Sequence, residues 1–196
     1  MKKISTRDFV LLALLIAILI VLGFVNIPMP AGLSITFNMI PVAIGAIALG
    51  PLGGAIVGGA FGVISFLQCF GICGFSGMGA ALAAIDPFLA LVQRFFPRLL
   101  DGFLLGYIFR LARRLNPYAG CAVTGFFAAF LNTLFFMTSL VWIFGGTEYM
   151  RNSMAGRGML TYIVAAVGVN GVVEMLVSTA LTGAVGSALY KAGYVK

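Results

Sequence analysis

Arg94 and Arg98 stand one helical turn apart in the apolar run FLALVQRFFPRLLDGFLLGYIFRL, residues 88–111, with Asp101 three residues further on. A guanidinium is a planar fork that can grip a carboxylate through two parallel hydrogen bonds. Placed in a bilayer, each such charge costs about 2.5–3.5 kcal/mol to insert, so it faces a cavity or a partner rather than lipid. The pair therefore points to a pocket for a polar, anionic small molecule. Gln68, Asn132, Thr133, Asn170 and Glu174 are the other polar residues inside apolar runs. Amides and a carboxylate of this kind can supply the few fixed polar groups that a small-molecule site sets among apolar walls. Each also has a plainer use. Glu174 can neutralise Arg94 or Arg98, Asn132 and Asn170 can hydrogen-bond between helices, and Arg94 can snorkel to the headgroups. Asp101 is expected to pair with Arg98. Pro97 is expected to kink its helix beside the arginines and widen a pocket. Phe37 and Phe70, in or near long uncharged segments, are placed to lid it.

Other chemistries lack their residues. The chain has three cysteines and no histidine, which removes most metal and catalytic schemes, and no cofactor is expected. Cys69 and Cys73 are four apart rather than the three of the usual zinc or redox pair, and Cys121 reads as a small packing residue. No nucleotide-binding G-x-x-x-x-G-K-[ST] loop occurs.

The elements that must carry these residues are membrane helices. Of 196 residues, 62% are hydrophobic and 9% charged, and the mean hydropathy is +1.13; a soluble domain carries roughly 25% charged residues. Six spans are expected in a single domain covering residues 1–196, at about 8–25, 39–49, 52–68, 87–114, 118–144 and 158–191. The first apolar run is longer than the core of a signal peptide and is read as a retained helix. The second is short for a span and stops at Gly50-Pro51. The segments 26–38, 69–86 and 145–157 are read as loops. Lys2, Lys3, Arg7, Arg110, Arg113, Arg114, Lys191 and Lys196 fall on one side of this layout, Arg151 and Arg157 on the other. That bias places both termini in the cytoplasm. The net charge of +7 therefore reflects topology, not nucleic-acid binding. Arg94, Arg98, Asn132, Asn170 and Glu174 then come to similar depth in the outer leaflet, on three helices.

Small residues set the packing. Gly50, Gly54, Gly58 and Gly62 recur every fourth residue, as do Ala180, Ala184, Ala188 and Ala192, and such faces let helices approach closely. For the glycines, internal packing is the expected use. Ala13 and Ala17 make a similar pair on the first helix, for internal packing or for docking another membrane protein.

The helix LLALLIAILIVLGFV with its Ala13-x-x-x-Ala17 pair, the segment ITFNMIPVAIGAIALGPLGGAIVGGAFGVISFL and the six-helix size resemble S components of energy-coupling factor (ECF) vitamin transporters over nearly the whole chain. PFLALVQRFFPRLLDGFLLGYIFRL, FLNTLFFMTSLVWIFG and VNGVVEMLV look most like pantothenate-type members. The resemblance implies an all-α integral membrane bundle in a prokaryotic cell membrane that binds one vitamin from outside, between helices four to six and under the loops after helices one and three. It implies partners as well: a membrane T component docked at Ala13 and Ala17, and two cytoplasmic ATPases, with toppling of the S component in the bilayer delivering the ligand. Arg98, Asn132, Glu174, Asn170, Arg94, Phe37, Phe70 and Gln68 are the expected vitamin contacts. Arg98 is matched to the carboxylate of pantothenate, and Asn132, Asn170 and Glu174 to its hydroxyls and amide.

Alternatives carry their own signatures. A different vitamin or precursor, such as riboflavin, hydroxymethylpyrimidine or a pyridoxine-like compound, fits the same scaffold. An ion-coupled carrier for a small anion often shows inverted repeats, and none is evident between residues 1–98 and 99–196. A membrane-embedded lipid transferase would want an acidic metal cluster or a histidine. A purely structural subunit would bind no small molecule.

Overall fold

The computed structural model describes residues 5–25, 27–28, 34–154, 156 and 158–195. The chain folds as α1 (Thr6–Gly23), a two-residue antiparallel ladder of β1 (Ile27–Pro28) and β2 (Ser34–Ile35), α2 (Met39–Leu67), a 3-10 turn (Gln68–Phe70), α3 (Gly77–Ile85), α4 (Pro87–Ala112), α5 (Pro117–Phe144), α6 (Glu148–Met154) and α7 (Met159–Lys191). Among the described residues, four helical runs are long and apolar enough to cross a membrane: Thr6–Gly23, Met39–Phe70, Pro117–Phe144 and Gly171–Lys191. The charges of α4, among them Arg94, Arg98, Asp101 and Arg110, set it apart from those four.

α2 is two arms rather than one rod. Gly50 has φ 78° and ψ −167°, a backbone state open to glycine, and Pro51 follows it. In a straight helix residues 45 and 57 would be about 18 Å apart. Here a Cβ on Gly45 would lie 2.9 Å from Val57 Cγ2, and one on Gly54 would lie 2.9 Å from Ala46 Cβ. The chain therefore reverses at Gly50, and the arms 39–49 and 51–67 pack antiparallel, as the Gly-Pro stop predicts.

The second arm then packs on α4 through its glycines. Gly54 faces the Gly102 carbonyl, Gly58 faces the Arg98 carbonyl, and a Cβ on Gly62 would sit 2.8 Å from Phe95 Cα. Backbone meets backbone along this seam, so the glycine ladder is internal packing. Ala180, Ala184, Ala188 and Ala192 on α7 are exposed instead, as are Ala13 and Ala17 on α1.

Two helices lie in segments read as loops. α3 starts at Ser76, whose Oγ accepts from the Gly79 amide at 3.2 Å. α6 starts beside Thr147, whose Oγ1 accepts from the Met150 amide at 3.4 Å. Glycine-rich composition hides the first and shortness the second, because low propensity is overridden by capping and tertiary contact. Asp86 and Asn116 cap α4 and α5, each followed by a proline at the first helical position.

One core joins Leu12, Leu15 and Leu19 of α1 to Val42, Val57 and Phe61 of α2, Leu105 of α4 and Ala128 of α5. A second, at one end, joins Met78 and Leu82 of α3 to Met137, Leu140 and Phe144 of α5 and Met150 of α6. At the other end Arg7 Nη2 donates to the Gly193 carbonyl at 3.0 Å and its guanidinium lies 3.8 Å from the Tyr194 ring centre, which ties the two ends of the chain together. Cys69, Cys73 and Cys121 are free thiols, and Cys121 packs under Gly186.

Candidate functional site

The register of the helices sets which polar residues share a level. Gln93 Nε2 on α4 reaches the Phe136 carbonyl on α5 at 3.5 Å, so Arg98, further along α4, comes level with residues 131 and 132 of the antiparallel α5. On the far side of α5, Gly125 meets Ser178 and Gly183 meets Ala122, a pairing that sets Asn132 opposite Gly171 and Ala129 opposite Glu174. Arg98, Asn132 and the neighbourhood of Asn170 thus fall at one depth, with Glu174 one turn below. Asn170 lies on α7, but its side chain falls outside the described residues.

Arg98 is the most exacting member. Its guanidinium carbon lies 4.6 Å from the Phe61 ring centre and 5.0 Å from that of Phe136, attractive placements for a cation over aromatic rings. Nη1 donates to the Arg94 carbonyl at 2.9 Å, while the buried Nε has no hydrogen-bond partner. The side chain is held by rings and keeps donor capacity unspent. Asn132 is half-buried, and its Oδ1 is sealed from solvent without a partner.

Arg94 has a different setting. Nη1 donates to Ser65 Oγ at 2.8 Å and to the Ser65 carbonyl at 3.3 Å, and Nη2 to Ser76 Oγ at 3.1 Å. These bonds brace the end of α2 and the N-cap of α3 against α4. It does not snorkel; it is buried.

Glu174 does not neutralise either arginine. Its Oε1 accepts from the Thr36 amide at 2.9 Å and so fastens the chain entering α2 to α7. Gln68 Nε2 donates to the carbonyls of Gly23 and Cys73 at 3.0 and 3.1 Å, stapling the end of α1 to the turn after α2. Phe37 packs on the main core. Phe70 is 56% exposed and stacks edge-on with Phe66, ring centres 5.3 Å apart. Asp101 is buried with Oδ1 unpartnered, and among the described residues no hydrogen bond joins it to Arg98. α4 keeps helical backbone from Pro87 to Ala112 through Pro97.

A groove of about 400 Å³ on the outside of α4 and α5 is lined by Phe96, Pro97, Leu100, Phe135 and Trp142 among others. Almost wholly apolar, it offers an anion nothing and suits lipid chains.

Sequence reasoning passed over Asn38. It is 1% exposed, and both Oδ1 and Nδ2 lack partners. Its signal in the sequence is only an Asn before an apolar helix, which ordinarily means a cap.

The match to known proteins follows the same helices. The family model described as ECF transporter, substrate-specific component, matches residues 7–186. The chain belongs to that family. Among relatives of this ECF substrate-specific component, the pantothenic acid transporter PanT of Lactococcus lactis subsp. cremoris (strain MG1363) is 29% identical over 98% of each chain. The pantothenate transporter PanT of Leuconostoc mesenteroides subsp. mesenteroides is 30% identical over 95% of this chain and 90% of its own. The relatives are transporters, not enzymes, in keeping with a site of binding groups that lacks histidine.

Proposed function

We propose that this ECF substrate-specific component binds pantothenate and delivers it through a T component and two ATPases. The carrying observation is Arg98: a buried guanidinium gripped by Phe61 and Phe136 with Nε left free, level with the unpartnered Asn132 Oδ1. A carboxylate beside Arg98 would use that spare capacity and compensate the buried charge. Asn132 and Asn170 stand at the same level, with Glu174 one turn below, and take the remaining polar groups. Arg94 and Gln68 act by holding the walls, and Phe37 by closing the side toward α1. The names of the two relatives support pantothenate over another vitamin.

The domain spans residues 1–196 as one bundle with six crossings: α1, the two arms of α2, α4, α5 and α7. The tie between Arg7 and residues 193–194 supports an even number, and the lysine and arginine bias supports cytoplasmic ends. The setting is the plasma membrane of a prokaryote. Ala13 and Ala17 lie on an exposed face of α1 and form the docking surface for the T component, with toppling as the delivery step.

The deciding experiment titrates the purified protein with pantothenate, riboflavin, hydroxymethylpyrimidine and pyridoxine. Saturable pantothenate binding is expected. Tight binding of another vitamin with none of pantothenate would overturn the substrate, and uptake that persists without any partner ATPase would overturn the transport mode.

A further inference from the structure

Asn38 occupies the position before the first arm of α2, where asparagine ordinarily caps the helix by accepting from an amide of the first turn. It makes no such bond. Its side chain is nevertheless sealed from solvent, 1% exposed, with the amide nitrogen and oxygen both unpartnered. A buried polar group without partners is costly, and two on one side chain need an explanation that capping does not supply.

Its depth supplies one. A Cβ on Gly102 would lie 3.1 Å from Val42 Cγ1. The first arm of α2 and α4 run in the same direction, because the second arm is antiparallel to both. One turn before that contact stand Asn38 on the arm and Arg98 on α4. Asn38 therefore belongs to the level of Arg98 and Asn132. The bond from the Thr36 amide to Glu174 Oε1 at 2.9 Å draws the chain two residues before Asn38 onto α7. The first arm thus begins inside the bundle, beside the proposed site.

We propose that Asn38 is a substrate-contacting specificity residue whose carboxamide binds the hydroxyl-bearing end of the ligand. This rests on the pantothenate reading above. The carboxamide offers one acceptor and a pair of donors side by side. A lone carboxylate would satisfy Nδ2 and repel Oδ1. The trans amide of an acyl amino acid directs its N–H and C=O to opposite edges and cannot meet both atoms at once. Two neighbouring hydroxyls can: one donates to Oδ1 and the other accepts from Nδ2. Arg98 then holds the carboxylate end, and Asn38 reads the other.

The experiment measures binding of pantothenate, and of its analogue lacking both hydroxyls, to the wild-type protein, Asn38→Ala and Asn38→Ser, together with the ligand-free unfolding temperature of each. Asn38→Ala is expected to weaken pantothenate by about 10- to 100-fold and to leave the analogue within about twofold of wild type. The ligand-free unfolding temperature should stay the same or rise, since no hydrogen bond is lost. Asn38→Ser, with a hydroxyl in reach, should recover part of the loss. Unchanged pantothenate affinity in Asn38→Ala overturns the assignment. So does an equal loss for both ligands, which would mark a structural role, and should Asn38→Ala fail to fold, wild-type affinity in Asn38→Ser does the same. Wild-type protein that binds no pantothenate fails the reading beneath it, and that outcome is visible before any variant is compared.

Discussion

Gly58 on α2 meets the main chain of Arg98 on α4 with no side chain between them, yet the Arg98 guanidinium keeps a buried Nε with no partner among the described residues. The glycine seam and the polar level beside it follow opposite rules. Along the seam, Gly54, Gly58, Gly62 and Gly102 close every gap and leave no room for a methyl group. Across the polar level, Asn38, Arg98, Asp101 and Asn132 keep buried atoms that nothing among the described residues satisfies. In lipid, helices are not driven together by apolar burial, and close van der Waals packing has to hold them. The seam provides that packing where it costs no function, so the polar level can stay poised for a ligand. Arg94 and Arg98 differ within one helix in degree: both leave Nε unpartnered, but among the described residues Arg94 makes three hydrogen bonds to Ser65 and Ser76, whereas Arg98 makes one, to the Arg94 carbonyl.

Filling the seam should do the most damage. Gly58→Leu drives a side chain into the Arg98 carbonyl, and a loss of about 3 kcal/mol or more is expected, seen as aggregation on size exclusion in detergent. A folded, binding-competent Gly58→Leu protein would break the distinction between seam and site. Arg98→Ala should leave the bundle folded and weaken pantothenate by roughly 100-fold or more, the range for truncating one partner of a buried charge pair. Wild-type affinity there would remove Arg98 from the site. Arg94→Ala should lower stability by about 1–3 kcal/mol through its lost bonds to Ser65 and Ser76, read in thermal unfolding, with a smaller effect on binding than Arg98→Ala. The reverse order would merge the two arginines' roles. Replacing Ala13 and Ala17 together by leucine should change the isolated protein least, leaving stability and vitamin affinity unmoved while abolishing assembly with a T component and uptake. Normal uptake would clear that face of any docking role.

Much of the fold was legible because its signals are local. Apolar runs bounded by charge gave the long helices, Gly50-Pro51 gave the reversal inside α2, and the four-residue glycine repeat gave the seam. α3 was not legible: Gly77 and Gly79 speak against a helix, and what secures it is the Ser76 cap together with Arg94, which comes from 18 residues further along the chain. The site was legible as a list of costly residues but not as a division of labour. Sequence cannot tell that Gln68 is consumed by two carbonyls, that Glu174 is engaged by Thr36, or that Phe70 stacks edge-on with Phe66. Asn38 was missed for the same reason. Its importance comes from beginning a helix at the depth of Arg98, a fact of tertiary register that its uncharged surroundings in the chain do not announce.

The clasp of Arg7 on Gly193 and Tyr194 brings the first turn of α1 against the residues that follow α7. A short glycine linker could join the residues just before α1 to those just after α7, and new ends could be opened in the turn between α4 and α5, around Leu115, which is 94% exposed. Such a permuted chain would keep every helix neighbour while changing the order in which the helices enter the bilayer. It would separate what the packing of this bundle requires from what its order of insertion requires.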